Sequence, residues 1–187
     1  MFIYMNLLAD ATNISAWQTF YEIVGSSGGA LVGLQFVVIA LIANTRTAAD
    51  SQSIDAFGTP NTLHFGAALT ISAIMSAPWP SLLYTSVAMA LCGVMGLVYS
   101  ASVFHRARRQ TVYKPVPEDW LWYAIVPCGI YGVLTVVALL LRLIGQFGLF
   151  MVAGSALGLL LVGIRNAWDS VTHIVVRGNA EDAKKSH

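Results

Sequence analysis

Apolar residues fill the chain in long blocks, separated by short clusters rich in Pro, Gly, Asp, Arg and Lys, and the blocks match the roughly 20 residues of one bilayer crossing. The first predicted helix covers about 16–43. Ser15 is placed to cap it, with Gln18 at the spacing of a capping box, although Thr19 gives Ile14 no apolar partner for a staple. A polar linker, 44–59, carries Asp50 and Asp55, and Pro60 suits the first position of a second helix over about 60–77. Pro78-Trp79-Pro80 forces a tight reversal into a third helix over about 81–104, which ends in a basic loop with His105, Arg106, Arg108, Arg109 and Lys114. Pro115 and Pro117 close that loop. A fourth helix, about 119–144, contains Pro127, which predicts a kink near Tyr123 unless a neighbouring helix satisfies the freed carbonyl. The break at 145–148 leads to a fifth helix, about 149–176, longer than the hydrocarbon core, so its last two turns are expected in the interface or the cytoplasm.

Composition turns this pattern into a class. With 57% hydrophobic and 10% charged residues in a chain of 187, there are too few charges to cover a water-soluble domain of that size. The expected fold is an all-α polytopic membrane helical bundle of about five transmembrane helices, a single domain over 1–187 with no room for a soluble one. The net charge of +1, carried mostly in loops, offers no continuous basic face for nucleic acid. Segment 1–8 is too short and too poor in basic residues for a signal peptide, so the helices themselves are expected to direct insertion. Cys92 and Cys128 lie in apolar stretches and read as small hydrophobic residues.

Counting cations by side sets an expected orientation. With the N-terminus outside, the cytoplasmic side collects Arg46, Arg106, Arg108, Arg109, Lys114, Arg177, Lys184 and Lys185, and the outer side holds Arg142. That bias predicts N-out, C-in. Trp17, Trp79, Trp120 and Trp122 fall at predicted helix ends, where aromatic belts form.

Trp17, Phe20, Tyr21, Gly25, Gly29, Leu31, Gly33, Leu34, Phe36 and Val37 form the pattern W-x-x-F-Y-x-x-x-G-x-x-x-G-x-L-x-G-L-x-F-V. It resembles the first helix of small multi-pass bacterial membrane proteins of unknown function, and Arg165-Asn166-Ala167-Trp168-Asp169 is similar to the ending of their last helix. The resemblance implies a bacterial inner (plasma) membrane and brings no activity with it.

Two faces depart from plain hydrophobicity. At about 100° per residue, Gln18, Glu22, Ser26, Gly29, Gly33 and Ala40 share one side of the first helix, with Gly25 beside them. Gly25, Gly29 and Gly33, at i, i+4 and i+8, suit close helix packing, either within the monomer or between copies, around a pore. On the fifth helix Gly154, Gly158, Arg165, Asp169 and Thr172 share a face, with His173 at its edge, and Arg165 and Asp169 have ion-pair spacing. Ionisable groups at membrane depth are costly, so this face is expected to line the cytoplasmic mouth of a conduit or to anchor the helix end in the interface.

Glu22 and Arg142, both toward the outer side, can pair across helices or reach the interface separately. His64, His105, His173 and Asp169 are expected on the cytoplasmic side without any recognised metal spacing, so no metal and no cofactor is expected. No Ser/His/Asp set or paired carboxylate stands out, and Gly25-Ser26-Ser27-Gly28-Gly29 resembles a phosphate loop in composition only, being mid-helix.

These readings lead to a non-enzymatic bundle in the lipid bilayer, expected to be a homo-oligomer. It would act as a small ion or solute conduit or as a structural or regulatory subunit beside an unidentified membrane partner. The competing expectation is a membrane enzyme acting on a lipid or quinone at the cytoplasmic interface through His64, His173 and Asp169.

Overall fold

The computed structural model describes residues 16–45, 51–109 and 120–185, with side chains over 16–40, 61–105 and 120–172. Every described element is helical: α1 (Gln18–Thr45), α2 (Ser51–Ser76), α3 (Leu82–Arg109), a π-turn (Leu121–Ile125) and, directly after it, α4 (Val126–Lys185). Three stretches are long and apolar enough to cross a membrane, Gln18–Ala40, Leu82–His105 and Leu121–Thr172.

The third of these covers 52 residues. As a straight rod it would extend about 78 Å, more than twice the roughly 30 Å hydrocarbon core. Gly145 resolves the mismatch, because its φ of 52° and ψ of −127° leave the helical region and fold α4 back on itself. An L side chain rarely adopts that combination, which is why glycine stands there. The result is a hairpin with a first arm, 121–144, and a second arm, 146–185. Opposed contacts zip it together: Asn166 against Trp122, and Gly158 under Ile130, whose Cδ1 lies 3.2 Å from where a Cβ on Gly158 would stand.

Glycines bring the remaining helices onto this hairpin. α2 lies against both arms, with Phe65 over Gly163 of the second and His64 on Tyr131 of the first. α3 packs on the first arm, where Gly93 accepts Thr135 and Gly96 accepts the Tyr131 ring. α1 packs mainly on α2. The close approach there is made by Gly25 and Gly28, whose added Cβ atoms would each come within 2.9 Å of α2, at Ser72 Cβ and the Phe65 carbonyl respectively. Tyr21, Phe65, Ile71, Met89, Leu134, Val152 and Leu159 form the buried centre.

The outside is equally apolar. Ile23, Phe36, Leu91, Met95, Val98, Leu139, Leu143 and Leu161 are exposed on three different helices, an apolar exterior suited to hydrocarbon. Tryptophans mark the two ends of the bundle. At one, Trp17 meets Phe150 edge-on at 4.6 Å, and Trp79 in the turn after α2 donates from Nε1 to the Ile74 carbonyl at 2.6 Å. At the other, Trp120 meets Phe104 at 5.0 Å.

Four boundaries differ from the hydrophobic pattern. α2 begins at Ser51, so Pro60 lies inside it and part of the expected linker is helical. α3 continues to Arg109 and α4 to Lys185, beyond the expected ends at 104 and 176. The chain leaves the helix only at Gly145, and Gly148 is already helical. The shared reason is that hydropathy reports where an apolar run stops, whereas backbone hydrogen bonding continues through polar turns. Ser15, Arg46, Lys114 and the side chains of Asp50, Asp55, Arg106, Arg108, Arg109, His173, Arg177, Lys184 and Lys185 lie outside the described residues.

Candidate functional site

The site grows from one missing hydrogen. Pro127 has no N–H, and the π-turn ahead of it shifts the ladder so that the Val126 N–H reaches the Leu121 carbonyl. In this register the next donor would be residue 127, so the Trp122 carbonyl has no helical partner. Asn166 on the second arm supplies one, donating from Nδ2 to the Trp122 oxygen at 3.2 Å. Of the two outcomes expected at Pro127, a kink near Tyr123 or a carbonyl satisfied by a neighbouring helix, the bond from Asn166 forms the second, beside a π-turn.

Around this bond the two arms share a polar clasp. Tyr123 Oη lies 3.2 Å from the Asn166 carbonyl, 3.3 Å from Asp169 Oδ2 and 3.4 Å from Ser170 Oγ. Ser170 gives its own proton to the Asn166 carbonyl at 2.8 Å, so Tyr123 is the donor toward Ser170. One phenolic proton thus serves three acceptors. The Arg165 guanidinium lies over the Trp122 ring, 4.3 Å from its centroid, a cation–π contact of about 0.5–2 kcal/mol. Asn166 is fully buried and Asp169 is exposed, so the clasp runs from the bundle surface into its interior.

A second polar group lies deeper. His64, only 1% exposed, has Nδ1 3.2 Å from Tyr131 Oη. Asn61, one turn earlier on α2, is fully buried. Neither Asn61 side-chain atom, nor His64 Nε2, nor Asn166 Oδ1 has a hydrogen-bond partner.

Arg165 and Asp169 meet the first arm through Trp122 and Tyr123. His64 is held by Tyr131 and Asp169 by Tyr123, while the side chain of His173 lies outside the described residues. Glu22 and Arg142 are both exposed and are not brought together. Gly25 and Gly158 make close contacts, whereas Gly29, Gly33 and Gly154 have open space where a Cβ would stand. Among the described residues no group of three or more His, Cys, Asp or Glu side chains could hold a metal.

Sequence marks Tyr123 only as a kink position and Asn166 only within the Arg165–Asp169 motif, and it does not single out Ser170, Tyr131 or Asn61. A signal existed for Asn166: a proline inside a span implies an orphan carbonyl, and a carboxamide in another span is a suitable donor. Gly93 and Gly96 repeat the i, i+3 spacing of Gly25 and Gly28, a tighter interval than the four-residue one that drew attention. No family model, no curated protein and no solved structure matches this chain.

Proposed function

We propose that this chain is a non-catalytic protein of the bacterial inner membrane that crosses the bilayer five times, N-out and C-in. It self-associates through α1 and acts as a small ion or solute conduit or as a structural or regulatory subunit. The fold-back at Gly145 supports counting the two arms of α4 as separate crossings. α2, with 26 residues, is about 39 Å long and supports a further one. The cation bias supports the orientation.

The observation that carries self-association is the direction of α1's polar face. Gln18, Glu22, Ser26 and Gly33 are exposed, while Tyr21 and Val24 are buried and Gly25 and Gly28 meet α2. Polar and small residues on membrane helices ordinarily face other helices, because lipid offers them neither hydrogen bonds nor a fitted surface. A second copy presenting the same face would supply both.

Light scattering on nanodisc-reconstituted protein tests this reading. Wild type is expected as more than one copy per disc, and Gly33→Leu as one copy with unchanged melting temperature. A monomeric wild type overturns the proposal. The conduit form further requires flux in proteoliposomes that changes in Asp169→Asn.

A further inference from the structure

Buried hydroxyls without a partner are easily accommodated in a helix. Ser72, Ser86 and Ser100 can turn onto a carbonyl one turn back, as Ser155 and Ser170 do at 2.8 Å. A carboxamide or an imidazole has no such recourse, since its remaining atoms point away from its own backbone. Asn61 offers two donors and an acceptor, His64 Nε2 either role, and Asn166 Oδ1 an acceptor, all without a partner. Asn61 and Asn166 are 0% exposed and His64 is 1% exposed.

Their positions converge. Phe65 sits on Gly163, with its Cε1 2.6 Å from a Cβ built there. α2 and the second arm run in opposite directions, so Asn61, one turn before Phe65, comes level with the turn that holds Asn166. Both His64 and Asn166 spend one side-chain atom on the first arm, on Tyr131 and on the Trp122 carbonyl, and keep the other buried without a partner. Donors and acceptors in this number match the two to four partners that an interior water requires. Leaving them dry would cost far more in a bilayer than filling the space.

We infer that α2 and the α4 hairpin enclose an internal water site built by Asn61, His64 and Asn166, reached from the bundle end through the Tyr123–Asp169 clasp. Its ligand is water, and the site does not depend on self-association. Because Tyr131 can donate to His64 Nδ1 or accept from it, Nε2 can present either a proton or a lone pair to that water without a change in charge.

Hydrogen–deuterium exchange at the histidine C2 position, read by mass spectrometry on the full chain in nanodiscs, tests the site. His64 is expected to exchange within about thirtyfold of the exposed His105 despite its burial, since water reaches it in the folded state. Slower exchange than that overturns the proposal. Asn61→Leu is expected to slow His64 exchange by about tenfold, by closing the water site. It should also lower the melting temperature. An unchanged His64 rate, or a melting temperature equal to or above wild type, would show a dry core relieved of an unpartnered amide and overturn the site. If Asn61→Leu fails to fold, the wild-type ratio of His64 to His105 decides alone.

Discussion

Pro127 withholds one N–H, and the consequence can be followed atom by atom to Asn166. Asn166→Leu leaves the Trp122 carbonyl buried without a donor, a loss of about 1–3 kcal/mol. Pro127→Ala restores a helical donor and relieves Asn166 of its role at the Trp122 carbonyl. In unfolding measurements on reconstituted protein, the penalty of Asn166→Leu should therefore shrink by about 1 kcal/mol in the Pro127→Ala background. Additive penalties would mean that the two residues act separately. Gly145 makes an independent case. A Cβ there would meet nothing within 4 Å, yet its φ of 52° makes Gly145→Ala destabilising by about 1–3 kcal/mol through backbone strain alone. A variant as stable as wild type would show that the fold-back tolerates ordinary residues.

Helices meet where glycine lets them, and the interfaces separate by what a methyl group would strike. At Gly96 it would run into the Tyr131 ring and at Gly28 into the Phe65 carbonyl, so Gly96→Ala and Gly28→Ala should each lose about 1–3 kcal/mol. At Gly33 and Gly154 it would meet open space, and alanine there should hold or gain up to about 1 kcal/mol through helix propensity. Comparing these four variants by thermal unfolding checks the assignment of faces; equal effects would contradict it. The helices themselves were legible in sequence because each apolar run is nearly as long as a bilayer is thick. The turn at Pro78-Trp79-Pro80, the distortion before Pro127 and the break near Gly145 were legible because proline and glycine act locally. Which glycines pack was not. Periodicity places Gly25, Gly29 and Gly33 on one side of α1, but helix crossing decides which of them meets a neighbour, and crossing is set by side chains on both partners. The clasp was half legible: charge drew attention to Arg165 and Asp169, while Tyr123 and Asn166 carry no charge and depend on a contact separated by more than forty residues.

Among the described residues the Tyr123–Asp169 clasp lies at the end bearing Trp120 and Trp122, and Trp17, the Trp79 turn and Gly145 lie at the opposite end. This gives the proposed orientation a direct test. A membrane-impermeant maleimide added to intact cells should label Gln146→Cys, and should label His105→Cys only after permeabilisation. The reverse pattern would invert the protein in the membrane. The Asn166 bond also imposes an order on biogenesis. The first arm emerges from the ribosome 44 residues before the side chain that completes its hydrogen bonding. At about 5–20 residues per second, it waits roughly two to nine seconds with an unfilled carbonyl. On the proposed five-crossing reading, the first arm is during that interval a poor tenant of hydrocarbon by itself, and the natural unit for the insertion machinery to release into lipid is the finished hairpin, both arms together.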